Sequence, residues 1–311
     1  MVQEKSVLGQ KQADRVNNID ISVVIPVYNA QPTLYELYTG LKKTLDTMGI
    51  TWQIIMADDN SGDQSWTLIK DLCRSDARVA GVHLAANFGQ HAATVCGISI
   101  SRGSYVVTID DDLDSDPDVI PVLWKQRTVF DVAFAAPSAH KQLWWKDSGS
   151  TLIHFLLRHL FKIQDNRFPF GSFRLLSPAV VRHLRNVNTG GIYLNAEILR
   201  AASCSGYVIA GDTKTKRPTR YTFTKSIKLA ANLIWGYTYW PGWIAGLALI
   251  IITAVIPVYV AANVSWHYYI ICLWIMLTAA IISVLAVGLF YSRLRKRKLY
   301  VIRESAGDCF I

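Results

Sequence analysis

The sequence contains no GxGxxG turn, no GxxxxGK loop and no CxxC pair, which excludes a dinucleotide fingerprint, a P-loop and a common zinc or redox motif. Its five cysteines, Cys73, Cys96, Cys204, Cys272 and Cys309, show no metal-ligand spacing, so reduced and mostly buried thiols are the expected state. The tail DCFI sets Cys309 third from the end, one place off a prenylation box. The first twenty residues, MVQEKSVLGQKQADRVNNID, lack an apolar core and read as a flexible leader over 1–19 rather than a signal peptide. Acidic residues are also in deficit, 23 against 32 Lys and Arg, for a net charge of +9. No nucleic-acid motif accompanies that excess, and it is assigned to membrane headgroups and an anionic ligand.

Hydrophobic residues make up 51% of the chain, and the excess is local. Residues 240–262 (WPGWIAGLALIIITAVIPVYVAA) and 269–290 (YIICLWIMLTAAIISVLAVGLF) carry no charged side chain. At about 1.5 Å per residue each is long enough to cross a hydrocarbon core of roughly 30 Å, and both read as transmembrane helices. Buried helical hairpins of soluble proteins rarely sustain such runs without a charge. Trp240, Trp243, Trp266, Tyr268 and Tyr269 stand near the ends of the runs, as interfacial aromatics do, and Pro257 is expected to kink the first. The connector NVSWH has no Lys or Arg, whereas SRLRKRK (292–298) has five, which directs both termini to the cytoplasm.

Before the apolar runs, β-branched segments alternate with helical ones, the pattern of an open, mainly parallel α/β sheet. Strands are expected at 21–27, 52–58, 78–84, 104–110 and 131–136, and helices near 32–48, 64–75, 88–101 and 118–128. Asp63 or Ser61 can cap the second helix. Residues 141–163 form an amphipathic pattern that suits either a membrane-surface helix or an ordinary domain helix. A second amphipathic stretch, 224–240, leads into the first apolar run and favours the membrane surface. Between them, Lys214, Lys216, Arg217, Arg220 and Lys225 form a basic loop that suits anionic lipid or a substrate phosphate.

Ligands of such sheets bind beyond the carboxyl ends of the strands. The first expected strand ends in PVYN (26–29), the second in ADDNSGD (57–63) and the fourth in DDDLD (110–114), so three polar clusters converge on one edge. Residues 108–118, TIDDDLDSDPD, hold six aspartates. Two carboxylates about 4 Å apart repel by roughly 1 kcal/mol in water and about 4 kcal/mol near a protein surface, so this stretch needs compensation. A calcium loop counted from Asp110 fails, because Ser115 and Pro121 fill the Gly and Glu positions. A hard divalent ion shared by a few carboxylates and substrate phosphates fits better. In an extended stretch Asp110, Asp112 and Asp114 would share one side, while Asp116 and Asp118 flank Pro117 and cap the next helix. Asp111 is expected to point away from the metal.

The ordered segments ISVVIPVYN, IIMADDNSGDQS, NFGQHAATVCGIS, TIDDDLDSDPDVIP, FRLLSPAVV and RKRKLYVIRE resemble a family 2 glycosyltransferase of the polyprenyl-phosphate type, over about residues 20–304. That resemblance implies a GT-A nucleotide-sugar domain over 20–223, a juxtamembrane helix at 224–239, two transmembrane helices within 240–291 and a basic tail at 292–311. It implies nucleotide contacts from Pro26, Tyr28, Asn29, Asp58, Asp59 and Asp111, and Mg²⁺ or Mn²⁺ held by Asp110, Asp112 and Asp114, with Asp112 central to catalysis. Three positions depart from the family pattern: Ala30 replaces a Glu, Ser172 replaces an often-cited catalytic Asp, and only His140 and Lys141 stand where an acceptor-binding Arg is usual. Lys141, Arg220 and Lys225 are the candidates for the acceptor phosphate.

The expected activity is inverting transfer of one sugar from a nucleotide sugar to a polyprenyl phosphate at the cytoplasmic membrane face, with homo-oligomers known among the relatives. A processive polysaccharide synthase would carry QxxRW, and no Arg-Trp pair occurs. A catalytically silent, membrane-bound nucleotide-sugar binder is the alternative suggested by Ala30 and Ser172.

Overall fold

The computed structural model describes residues 19–136, 168–187, 193–210 and 299–307, together with the isolated positions 274 and 278. The regions 141–163 and 224–240, the first apolar run, the second apart from positions 274 and 278, and Lys141, Arg220 and Lys225 lie outside the described residues. Among the described residues no helix is long and apolar enough to cross a membrane.

The first two strands, β1 (Ile21–Val27) and β2 (Trp52–Asp58), are buried along their whole length. Their near-continuous apolar runs are what a sheet covered on both faces requires. Helix α1 (Gln31–Thr47) connects them, and α2 (Ser65–Ser75) leads on to β3 (Val79–Leu84). Helix α3 (Gln90–Ile100) then precedes β4 (Tyr105–Thr108). A 3₁₀ turn at Pro117–Val119 runs into the short α4 (Ile120–Lys125), followed by β5 (Val132–Ala136) and β6 (Arg174–Leu176). The remaining elements are α5 (Pro178–Arg185), α6 (Leu194–Ala201), β7 (Ser205–Ile209) and β8 (Ile302–Ala306).

These strands form one eight-stranded sheet in the order β7-β5-β6-β4-β1-β2-β3-β8. The five expected strands are present, but the sheet is mixed: β6 runs antiparallel to β4 and β5, and β8 runs antiparallel to β3. Helix α3 begins two residues later than expected because Gly89 adopts φ 92°, a left-handed conformation that breaks the helical turn before Gln90.

Side chains alternate across the sheet and build a core on each face. On one face Ile21, Val23, Ile25, Ile54 and Met56 pack with Leu34, Leu37, Leu41 and Leu45 of α1 and with Trp66, Ile69 and Leu72 of α2. On the other, Val24, Ile55 and Val106 pack with α3, α5 and α6. The apolar stripe of α1 has the three-to-four spacing of a helix with one buried face.

A polar cluster fastens α1 to the turn before β3. Asp76 accepts from the Arg78 backbone N–H (3.0 Å) and side chain (2.9 and 2.8 Å), the Tyr38 hydroxyl (3.0 Å) and Lys42 Nζ (3.2 Å). Burial alone would raise the Asp76 pKa, but these donors outweigh it and hold the carboxyl well below the usual range. The Arg78 guanidinium also lies 3.8 Å over the Trp52 ring. Asp76→Asn is expected to cost about 2 kcal/mol of stability at pH 7, because charge-assisted bonds to a largely buried carboxylate are lost. A carboxyl with a depressed folded pKa stabilises fully above its unfolded pKa, and that contribution is lost as pH falls through the folded value. The stability gap between wild type and Asp76→Asn should therefore shrink below about pH 4, and a gap constant with pH in denaturant titrations would contradict this assignment.

Candidate active site

The loops after β1 and β2 are zipped together. Asn29 takes φ 52°, which an asparagine tolerates because its short side chain can bond locally. Its N–H donates to Ser61 Oγ (3.0 Å) and its Oδ1 accepts from the Gly62 N–H (2.8 Å). Ala30 N–H donates to Ser65 Oγ at 3.0 Å, so the position where a family Glu is usual is buried and occupied by a loop contact. Asp63 accepts from the first N–H groups of two helices, Gln31 (3.2 Å) and Ser65 (2.9 Å), from a place one residue before the N-cap Gln64 of α2. Ser61 does not cap the helix, being engaged with Asn29 and Asp58.

Around this zipped pair stand the nucleotide candidates. Pro26 is buried within β1, opposite Ala57, while Tyr28 is 48% exposed at the strand end. Asp58 is fully buried; Ser61 Oγ (2.5 Å) and N–H (3.2 Å) bond to it, and His83 Nδ1 lies 2.6 Å from it. These bonds shape the turn after β2. Asp59 accepts the N–H groups of Phe88 (2.7 Å) and Gly89 (2.8 Å), which ties β2 to the loop opening α3. Burial raises the Asp59 pKa, and those two donors oppose it.

The acidic loop begins where β4 ends. The ladder between β1 and β4 closes at Val24 and Thr108, and the residues beyond bend instead of continuing as a strand to 110. The extended alternation expected for Asp110, Asp112 and Asp114 is therefore not what forms. Asp112 Oδ1 accepts the Asp114 N–H at 3.2 Å, a local side-chain bond that competes with strand geometry. Asp116 accepts from the Asp118 N–H at 3.0 Å, the helix start expected of it, and Asp118 accepts the Thr44 hydroxyl. Asp111 turns toward β1, where its Oδ2 accepts the Tyr28 N–H at 2.8 Å.

Asp110 is the centre of the cluster. Its two oxygens accept from Gln90 Nε2 and Ser172 Oγ. The second bond follows from topology: β6 lies between β4 and β5, with Thr108 paired to Arg174, and two residues further along each strand brings Ser172 opposite Asp110. Beneath them Arg174 is 3% exposed, bonded through Nη1 to Gly171 O (3.1 Å) and to Asn195 Oδ1. Its guanidinium lies 5.8 Å from the Phe134 ring centre.

Charge explains how so acidic a loop survives. Burial pushes the Asp110 pKa up and the Asp112 charge adds to that, while Ser172 and Arg174 act in the opposite direction. Burial likewise pushes Asp111 up to about 6, reinforced by Asp110 and Asp112. Arg174 is itself pushed down to about 10 by burial, and stays a cation at neutral pH. Arg174 thus faces Asp110 from a buried position, and a further positive charge would relieve the mutual repulsion of Asp110, Asp111 and Asp112. Among the described residues no three His, Cys, Asp or Glu side chains form a group that could hold a metal ion.

Gln90, Arg174 and His83 were not legible as site residues from spacing alone. Gln90 has one usable signal: it follows Gly89 in the loop after β3 and opens a helix.

An open, mostly parallel mixed sheet, with acids gathered at the ends of its parallel strands, is the arrangement of the GT-A fold. The sequence model for Glycosyl transferase family 2 matches residues 22–185, and the chain belongs to that family. Glycosyltransferase YkcC of Bacillus subtilis is 22% identical over 308 residues, covering 93% of this chain and 95% of that protein. The undecaprenyl-phosphate 4-deoxy-4-formamido-L-arabinose transferase of Edwardsiella ictaluri is 36% identical over 140 residues, 44% of this chain. The match spans 43% of that relative's length. Glucosyl-3-phosphoglycerate synthase from Mycobacterium tuberculosis, solved with Mn²⁺, UDP and glucosyl-3-phosphoglycerate, shares the fold with a TM-score of 0.52 at 19% identity. The likeness covers 70% of this chain and 80% of that one.

Proposed function

We propose that the chain is an inverting glycosyltransferase that moves one sugar from a UDP- or GDP-linked donor to undecaprenyl or dolichyl phosphate at the cytoplasmic face of a membrane. The observation that carries this reading is the meeting of Tyr28, Asp59, Asp110 and Asp111 at one edge of the sheet, where β1, β2 and β4 end. The arabinose transferase supports a polyprenyl-phosphate acceptor by its name, and the mycobacterial synthase supports a uridine nucleotide with a divalent ion. Residues 240–262 and 269–290 are the proposed membrane spans, which an enzyme with a lipid acceptor needs.

Asp110 and Asp112, with Asp114 beside them, are the residues that would hold Mg²⁺ or Mn²⁺. Bound there, the ion would offset the charge that develops on the departing nucleoside diphosphate. Tyr28, Asn29 and Asp59 would receive the nucleoside, with Asp58 bracing the turn. Lys141, Arg220 and Lys225 remain the candidates for the acceptor phosphate.

Ser172 bears on the acceptor. Its hydroxyl is committed to Asp110, and a serine is no general base at neutral pH. A sugar-hydroxyl acceptor would need a base to take its proton. A phosphate monoester does not, because its second pKa is about 6 and the attacking oxygen is already anionic at pH 7. The site is therefore suited to a phosphate acceptor without the family Asp.

The test is transfer of radiolabelled sugar from a panel of nucleotide sugars into butanol-extractable lipid by the full-length protein in detergent. Label should enter the lipid with Mg²⁺ or Mn²⁺ and vanish on addition of EDTA. No lipid product with any donor would overturn the proposal in favour of a silent nucleotide-sugar binder.

A further inference from the structure

The segment that follows the second apolar run returns to the sheet and becomes its edge beside β3. Leu299 is buried, the Tyr300 hydroxyl shares a 2.8 Å hydrogen bond with Ser99 Oγ, and Ala85 N–H donates to Val301 O at 2.8 Å. Strand β8 then pairs with β3, with Glu304 opposite His83 and a shift in register between His83 and Leu84. None of these contacts has a part in the activity proposed above.

From Glu304 a run of contacts leads into the donor site. Its Oε2 accepts from Trp66 Nε1 at 3.0 Å, and its Oε1 stands 3.7 Å from Lys70 Nζ. The Trp66 ring stacks on the His83 ring, with centroids 5.2 Å apart and planes 23° apart. His83 Nδ1 is 2.6 Å from Asp58 Oδ2, and Asp58 holds Ser61, whose Oγ accepts from Asn29 N–H. Asn29 adjoins Tyr28, the exposed aromatic of the nucleotide edge.

We propose that β8 is a positioning element of the donor site and that Glu304 is the residue through which it acts. Glu304, supplied by the C-terminal strand, accepts the indole N–H and so fixes the edge of the Trp66 ring that stacks on His83. The flat indole holds the imidazole against Asp58, and Asp58 sets the turn on which the Asn29 loop is zipped. Donor affinity therefore depends on a residue more than two hundred positions away in sequence, on the strand that follows the proposed membrane spans. The inference rests on the donor-site reading given above.

The test is calorimetric titration of the full-length protein in detergent with UDP, and separately with GDP, in the presence of Mn²⁺, with thermal midpoints recorded in parallel. Glu304→Ala should weaken nucleotide binding roughly tenfold, the scale of losing one hydrogen bond. Trp66→Phe, which removes the N–H and keeps a ring, should do the same, and the double variant should be no weaker than either. Glu304→Gln keeps an acceptor oxygen and should bind as wild type does. Unchanged affinity in Glu304→Ala, with or without a lower thermal midpoint, would overturn the inference and leave β8 a structural strand. Equal losses in Glu304→Gln and Glu304→Ala would overturn it too, by assigning the effect to the Lys70 charge. A wild-type protein that binds neither nucleotide would instead overturn the donor-site reading itself.

Discussion

Asp112→Asn is expected to lower turnover by about 10³-fold, the scale of losing electrostatic stabilisation of the developing charge when the ion that would supply it is poorly held, while leaving the thermal midpoint unchanged. The separation of the two readouts comes from geometry. Asp112 Oδ1 accepts the Asp114 N–H, and the Asn side chain keeps an oxygen for that bond. The negative charge is lost while that bond is kept. Asp110 would be a poorer choice, because Gln90 and Ser172 both bond to it and its neutralisation would disturb the packing of α3 and β6 against β4. If Asp112→Asn turned over at a near-normal rate with saturating donor, the carboxylates after β4 would not be the metal site. Loss of turnover with a collapsed midpoint would make Asp112 a structural residue.

Arg174→Ala should have the largest effect on stability. The guanidinium is buried, bonds to Gly171 and Asn195, lies against Phe134 and is the cation facing Asp110. Truncation removes both guanidinium bonds from a buried site, leaves Gly171 O and Asn195 Oδ1 short of a donor and takes away a cation that favours the Asp110 carboxylate, which together cost about 3–5 kcal/mol. For a domain of this size that is a fall in thermal midpoint of roughly 10 °C. Arg174→Lys should recover little of it, since a compact ammonium cannot reproduce the planar fork that reaches Gly171 and Asn195 together. Thermal unfolding of the full-length protein in detergent, followed by circular dichroism, checks both. A midpoint within experimental error of wild type for Arg174→Ala would mean that the acidic loop is balanced by other charges.

Much of the catalytic half was legible because its signals are local. The runs ISVVIPV and WQIIMAD are apolar, β-branched and bounded by turn residues, and both form strands with the expected limits. The convergence of three polar clusters on one edge followed from the rule for parallel sheets, and Tyr28, Asp59 and Asp111 do meet there. Strands β6, β7 and β8 were not foreseen. β6 has three residues, too few for a periodicity. β8, IRESA, is an exposed edge whose pairing with β3 is decided by contacts far away in sequence. Because β6 inserts between β4 and β5, the Ser172 and Asp110 pair could not be seen from spacing either.

The reading of the acidic stretch changed most. The alternation of Asp110, Asp112 and Asp114 suggested a shared side, but crowded carboxylates and a local bond to the Asp114 N–H bend the chain as soon as the ladder with β1 ends. Compensation comes instead from two directions. Backbone N–H groups and the hydroxyl of Ser172 satisfy individual oxygens, and Arg174 supplies a buried positive charge.

The central claim is that one sugar is moved from a nucleotide to a polyprenyl phosphate. Mass spectrometry of the lipid product, formed by the purified full-length chain from an accepted nucleotide sugar and undecaprenyl phosphate, tests it most directly. The account predicts a lipid heavier by a single sugar residue, joined through phosphate, with one nucleoside diphosphate released per molecule formed. A lipid carrying several sugars, a sugar joined through diphosphate, or unchanged undecaprenyl phosphate beside consumed donor would contradict it.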